Sequence, residues 1–272
     1  MTSRHRRVMQ VAAGGAVTWR SDDVSTEEPL EIRVGTVSLS VTMRTPGDDF
    51  DLVAGFLVTE GIVSAANEID AMRMCPEAAA ETGELNVVEV MLAPSAASRP
   101  ITPRAFFMTS SCGMCGKASI EAVRTKTSWE VRDDPLRVAP EVLLGLPEKQ
   151  RSAQRQFSRT GGLHAAALFD SDGTLLCLRE DVGRHNAFDK AIGWAATQGL
   201  LPLRSHMILA SGRASFELTQ KTLMAGIPLL AAISAPSSLA VELAAESGMT
   251  LIGFLRGEQM NVYAGHERIA AA

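Results

Sequence analysis

MILASGRASFELTQKTLMAGIPLLAAISAPSSLAVELAAESGMTLIGFL, residues Met207 to Leu255, decides the fold. Its apolar runs Met207–Ala210, Leu229–Ile233 and Thr250–Leu255 are too short for helices and read as buried strands. Between them, Ser215–Ala225 and Ser237–Ser247 read as amphipathic helices, stopped by Gly226 and Gly248. Short apolar strands alternating with helices imply a largely parallel sheet covered by helices.

The pattern extends upstream. Ala187 to Gln198 reads as a helix ending at Gly199, and His164–Phe169 and Thr174–Glu180 as strands joined by the turn Asp170-Ser171-Asp172-Gly173. Pro135 to Arg159 reads as two short helices, with Pro140 suited to a first turn. Before that the chain reads as α+β. Leu30, Ile32 and Val34, then Val37, Leu39, Val41 and Met43, alternate with polar residues as two half-buried strands turning at Gly35-Thr36. Pro46 and Gly47 break the second strand. Asp48 or Asp49 then caps a helix with Leu52, Val53, Phe56 and Leu57 on one face, stopped by Gly61. Ala78–Gly83 reads as a loop, Asn86–Leu92 as a strand, Ala93–Arg104 as a loop and Ala118–Lys126 as a helix. The expected class is α/β: a mostly parallel, helix-covered sheet over residues 136–272, with a smaller α+β part over 1–135.

A chain of 272 residues can bury a full core without staples. Its net charge of −5, with no basic tract beyond Arg4, Arg6 and Arg7, argues against general nucleic-acid binding. No run approaches the roughly 20 apolar residues of a membrane span, and Val8–Val17 is too short and broken for a secretory signal, so a cytoplasmic protein is expected.

Three polar, small-residue segments fall where strand hands over to helix: Asp181-Val182-Gly183-Arg184-His185-Asn186, Ser211-Gly212-Arg213-Ala214-Ser215, and Ser234-Ala235-Pro236-Ser237-Ser238. In open α/β sheets that edge is where ligands bind. Helix N-termini, hydroxyls and two arginines suit phosphate or pyrophosphate. Each segment alone would serve as well as a plain helix cap. His164 suits a structural role as readily as a ligand contact. Asp181 and Asp189 are candidate acid/base groups, but read first as capping groups or partners of Arg184 and Lys190.

Cys75, Cys112, Cys115 and Cys177 are too few for a disulfide framework. Cys112 and Cys115 form the close pair in Ser110-Ser111-Cys112-Gly113-Met114-Cys115-Gly116-Lys117. A following helix and Lys117 both favour thiolate over thiol, from a free pKa of about 8.5. A structural zinc site would want four ligands, and Cys75 and Cys177 form no second close pair. A thioredoxin-like pair would want an N-terminal βαβ start. On these residues alone the pair is a reactive dithiol.

The chain resembles the FdhD family of sulfur carriers that serve formate dehydrogenase, from about Glu28 to Arg268. The resemblance rests on Glu28-Pro29-Leu30, Met43-Arg44-Thr45-Pro46-Gly47, residues 55–61 (GFLVTEG), residues 111–116 (SCGMCG) and residues 160–166 (TGGLHAA). It continues through residues 179–187 (REDVGRHNA), Asp189-Lys190, Ser211-Gly212-Arg213, residues 234–238 (SAPSS) and Gly253-Phe254-Leu255-Arg256-Gly257. The resemblance implies a persulfide on Cys112, loaded by a cysteine desulfurase, with Cys115 assisting transfer or release. The implied acceptor is the molybdenum bis(molybdopterin guanine dinucleotide) cofactor of a formate dehydrogenase client.

The family's cofactor-contacting segment aligns with Phe254, Leu255, Arg256, Gly257, Glu258 and Gln259. Arg184, His185, Ser211, Gly212, Arg213 and Ser234 complete the expected cofactor site. The family also implies a homodimer and a fold similar to the cytidine deaminases. Deamination itself is discounted: His164 is followed by Ala165-Ala166 instead of supplying the H-x-E glutamate, and the cysteines precede the histidine. No tightly held zinc is expected. The rival functions are a chaperone that holds the cofactor without moving sulfur, and a thiol–disulfide oxidoreductase.

Overall fold

The computed structural model describes residues 2–76, 85–98, 107–108 and 129–270. The expected loop at Ala78–Gly83, the Cys112/Cys115 segment and the expected helix at Ala118–Lys126 lie outside these residues.

Strands β1 (Ser3–Val11) and β2 (Val17–Ser25) form a separate antiparallel ribbon that the sequence pattern did not announce. The N-terminal sheet follows, built from β3 (Glu28–Val34), β4 (Val37–Arg44), β5 (Ile69–Met74), β6 (Val87–Leu92) and β7 (Phe107–Met108), in the order β5-β6-β3-β4-β7. Helix α1 (Asp49–Thr59) covers it, and α2 (Pro94–Ala97) is a single turn. Asp48 occupies the N-cap of α1 in a left-handed conformation, φ 53°, and its side chain makes no cap hydrogen bond, so the expected aspartate cap is not formed.

Helices α3 (Pro140–Ala153) and α4 (Arg155–Thr160) lead into the second sheet. That sheet holds β8 (His164–Phe169), β9 (Leu175–Asp181), β10 (Met207–Ala210), β11 (Leu229–Ala232), β12 (Thr250–Arg256) and β13 (Gln259–Ala264). Helices α5 (Arg184–Thr197), α6 (Phe216–Met224) and α7 (Ser238–Ser247) connect it. The order is β13-β12-β11-β10-β8-β9.

The α/β class is as expected, but within this second sheet the parallel part is confined to β10, β11 and β12. The turns at Asp170–Gly173 and Gly257-Glu258 make β8–β9 and β12–β13 hairpins, which run antiparallel of necessity. β10 also meets β8 antiparallel.

One core joins the two sheets. Leu30, Ile32 and Val88 of the first, Leu52 and Leu57 of α1, Phe188 and Ile192 of α5, and Leu168, Ile208 and Leu230 of the second form one buried cluster. The far face of the second sheet packs Phe169, Leu209 and Ile252 against Leu143 and Leu146 of α3. α1 and α5 cross at glycines: a Cβ on Gly55 would lie 1.8 Å from the Asp189 carbonyl oxygen, and one on Gly193 1.8 Å from that of Asp51.

Candidate functional site

The carboxyl ends of β10, β11 and β12 share one edge of the second sheet. β8 runs the other way, so its first residue lies there, and β9 brings its last residue, since His164 pairs with Asp181. All three handover segments therefore converge, as expected, and Gly253-Phe254 joins them.

Backbone bonds lock the loops side by side. The amide of Ser234 donates to the carbonyl of Gly212 (3.1 Å), that of Ser237 to Ala214 (3.0 Å), and that of Phe254 to Ser234 (3.2 Å). The Ser211 hydroxyl accepts from the Ala165 amide at 2.8 Å. Ser215 and Ser237 are helix caps, accepting from the amides of Leu218 and Ala240. Their hydroxyls therefore serve the fold, whereas the half-buried Ser234 hydroxyl has no partner among the described residues.

Helix α5 begins at Arg184, three residues before the expected Ala187, which puts Arg184 and His185 in its first turn. Asp181, wholly buried, fixes that turn. Its carboxylate accepts from the amides of Gly183 (2.8 Å) and Thr45 (3.0 Å) and from the Asn186 side chain (3.1 Å), and pairs with Lys190 at 2.8 Å. Lys190 also donates to the Thr45 carbonyl at 2.8 Å, and Asn186 to that of Met43 at 2.7 Å. The segment from Met43 to Thr45 is thus bolted to the start of α5. Arg44, 2% exposed, anchors it from below through Asp49 (2.9 Å) and Glu28 (3.4 Å).

Asp189 takes a different partner from the one its sequence neighbour suggested. It pairs with Lys221 of α6 at 2.8 Å and accepts from Thr59 at 2.7 Å, because adjacent residues on a helix point apart. Burial penalises the Lys221 charge, but the carboxylates of Asp189 and Glu60 outweigh it and raise its pKa.

The edge carries the two arginines, with the Glu217 carboxylate close enough to act on Arg184 and His185. Among the described residues neither Arg184 nor Arg213 forms an ion pair, and Arg213 is exposed. Burial first, then Lys221 and Arg184, push the His185 pKa down to about 4, so its imidazole is neutral at pH 7. Its buried Nε2 has no hydrogen-bond partner among the described residues. His164 is lowered in the same sense by burial and Arg184, and lies against Gly212.

Phe254 has φ 52°, a left-handed conformation uncommon for a non-glycine residue, and falls where the β12–β13 register shifts. Gly253 is required beside it, since a Cβ there would lie 2.8 Å from Cδ of Pro236 and 3.2 Å from the Ser234 carbonyl oxygen. The Arg256 guanidinium stands 5.6 Å from the Phe254 ring centre. Leu255 is fully buried in the far-face core, so its side chain turns away from the edge. Arg256, Gly257, Glu258 and Gln259 are exposed around the hairpin tip.

Cys112, Cys115 and Lys117 lie outside the described residues, but the strand leading to them is placed. β7 runs beside β4, with Met108 opposite Thr42, and the Thr42 hydroxyl donates to the Asn186 side chain at 3.1 Å. Cys177 is buried, and burial drives its pKa up to about 12, which makes it an inert thiol. Among the described residues no three His, Cys, Asp or Glu side chains gather as metal ligands, and no helix is long and apolar enough to cross a membrane. The sequence reading missed Lys221 and Thr59, which hold Asp189, and Glu217, whose carboxylate acts on Arg184 and His185. Their signal is faint, since Glu217 and Lys221 are merely two polar residues at helical spacing.

Residues 25–270 match the model of the FdhD/NarQ family. The chain is 56% identical over 271 residues to a protein of Streptomyces avermitilis named sulfur carrier protein FdhD, covering 98% of this chain and 96% of that one. It is 52% identical over 270 residues to the protein of that name from Mycobacterium tuberculosis, covering 97% of this chain and 98% of that one. Among solved structures it resembles one from Desulfotalea psychrophila described as a formate dehydrogenase accessory protein. The TM-score is 0.77 at 23% identity, over 99% of this chain and all of that one.

Proposed function

Because the chain belongs to the FdhD/NarQ family, we propose that it is a sulfur carrier that loads Cys112 from a cysteine desulfurase and passes the sulfur to the molybdenum bis(molybdopterin guanine dinucleotide) cofactor of a formate dehydrogenase. The reading takes it to act in the cytoplasm as a homodimer.

In the loading step the Cys112 thiolate attacks the outer sulfur of the desulfurase persulfide. The desulfurase cysteine leaves as a thiolate, and Cys112 keeps the outer sulfur. For release, the Cys115 thiolate attacks Sγ of Cys112 and expels hydrosulfide, leaving a disulfide that a cellular dithiol reduces. Hydrosulfide with a proton then exchanges for an oxygen ligand of the molybdenum, which departs as water.

One observation supports the acceptor most. Arg184 and Arg213 form no ion pair among the described residues and stand where three helix N-termini meet, an arrangement suited to a pyrophosphate. Ser234 and the neutral His185 add polar groups there, and the Phe254 ring offers a stacking face. Chain length is compatible with sulfur transfer at this edge: Cys112 follows Met108 by four residues, a reach of at most about 14 Å.

The test is calorimetric titration of GDP into wild type, Arg184→Ala and Arg213→Ala. Each charge-assisted contact is worth about 1.5–3 kcal/mol, so each variant should bind roughly 10- to 100-fold more weakly. Wild type that fails to bind GDP, or variants that bind as wild type does, would remove the cofactor half of the proposal.

A further inference from the structure

The β1–β2 ribbon takes no part in the site, and nearly all of it lies outside the residues the family model matches. Its base is held: the Ser25 hydroxyl donates to Thr160 at 2.7 Å, and Arg159 pairs with Asp23 at 3.3 Å. Beyond the base, Met9 through Ser21 are all exposed. A two-stranded ribbon is marginal in water unless one face is covered. The distal half has a face built for covering. Met9 pairs with Trp19 and Val11 with Val17, so four large apolar side chains share one side, each more than half exposed. The Arg7 guanidinium lies 4.9 Å from the Trp19 ring centre on the same side. Tryptophan, methionine and arginine are the residue types enriched where proteins meet.

A receptor of matching character lies on the same chain. At the far end of β3, Val34, Gly35, Val90, Met91, Leu92 and Ala97 line an open apolar hollow of about 300 Å³. Met91 is 46% exposed. Charge favours the same match. Four arginines against Asp22 and Asp23 leave residues 3–25 at +2, and the chain as a whole is −5, so the rest carries −7. A basic, apolar arm is therefore attracted to the body of another copy.

We propose that the Met9/Val11/Val17/Trp19 face of one copy seats in the Val34/Met91/Leu92 hollow of a second, each copy giving and receiving an arm. Such an exchange closes with two-fold symmetry. The proposal specifies a surface for the homodimer and is independent of the sulfur chemistry.

Sedimentation equilibrium on wild type, Trp19→Ser with Met9→Ser, and Met91→Glu tests it. Both altered surfaces lie outside the cores, so unchanged thermal melts check that the variants fold. The dimer dissociation constant should rise roughly 30-fold or more in each variant, as when an interface anchor is removed. Trp19→Cys mixed with Met91→Cys should yield a disulfide between copies under mild oxidation. A monomeric wild type, a dimer unchanged in either variant, or no mixed disulfide would overturn the proposal. Sulfur gained on Cys112 in the same variants reports the carrier function separately.

Discussion

Lys221 and Asp189 illustrate how much rests on single side chains. Both are nearly inaccessible, and each satisfies the other. Replacing Lys221 by Met strands a buried carboxylate and should cost about 3–5 kcal/mol in urea unfolding, whereas Asp189→Leu with Lys221→Met should cost less than either single change. His185 makes a pH prediction. Its folded pKa of about 4 lies below the ordinary 6.5, so below pH 6.5 the unfolded chain takes a proton that the folded site refuses. Stability should be flat above pH 6.5 and fall by about 2–3 kcal/mol as pH drops towards 4, and His185→Gln should flatten that slope. At Phe254 the backbone can be read apart from the ring. Phe254→Gly and Phe254→Ala lose the same ring, but glycine tolerates φ 52°, so the glycine variant should be the more stable by about 1 kcal/mol in thermal melts.

At the level of elements, close approach sets the tolerance for change. Gly55→Ala or Gly193→Ala would force α1 from α5 and should cost about 3 kcal/mol or more, while Gly145→Ala in α3, with open space around it, should add about 0.5–1 kcal/mol. Chemical unfolding of the three variants checks both signs. The same scale shows what the sequence made legible. β10 and β11 are apolar throughout and β12 is mostly so, each beside a helix that ends at a glycine, and they were readable to within a residue or two. β13 was missed although Met260, Val262 and Ala264 alternate inward, because an exposed Gly257-Glu258 turn resembles the end of a domain. β1 and β2 were missed because their apolar alternation is short, Met9 and Val11 in one strand and Val17 and Trp19 in the other, and the rest of each strand is mostly charged or hydroxylic. The start of α5 was placed late because Arg184 and His185 look like loop residues until Asp181 is seen holding the turn through the Gly183 amide and the Asn186 side chain.

For the molecule as a whole, the meeting of three handover segments at one edge was legible, since strands that alternate with helices put their carboxyl ends together. Which side chains stay unpaired among the described residues was not, because Ser211, Ser215 and Ser237 accept from backbone amides while the side chains of Arg184, Arg213 and Ser234 have no such partner there. Nor could spacing show that the segment from Met43 to Thr45 fastens the N-terminal sheet to that edge, and so sets where β7 delivers the chain. The sulfur chemistry itself is tested most directly by intact mass after incubation with a cysteine desulfurase and cysteine, with and without reductant. Wild type should gain the mass of at least one sulfur atom, lost on reduction and absent in Cys112→Ala. No gain in wild type, or an equal gain in Cys112→Ala, would contradict a persulfide carried on Cys112.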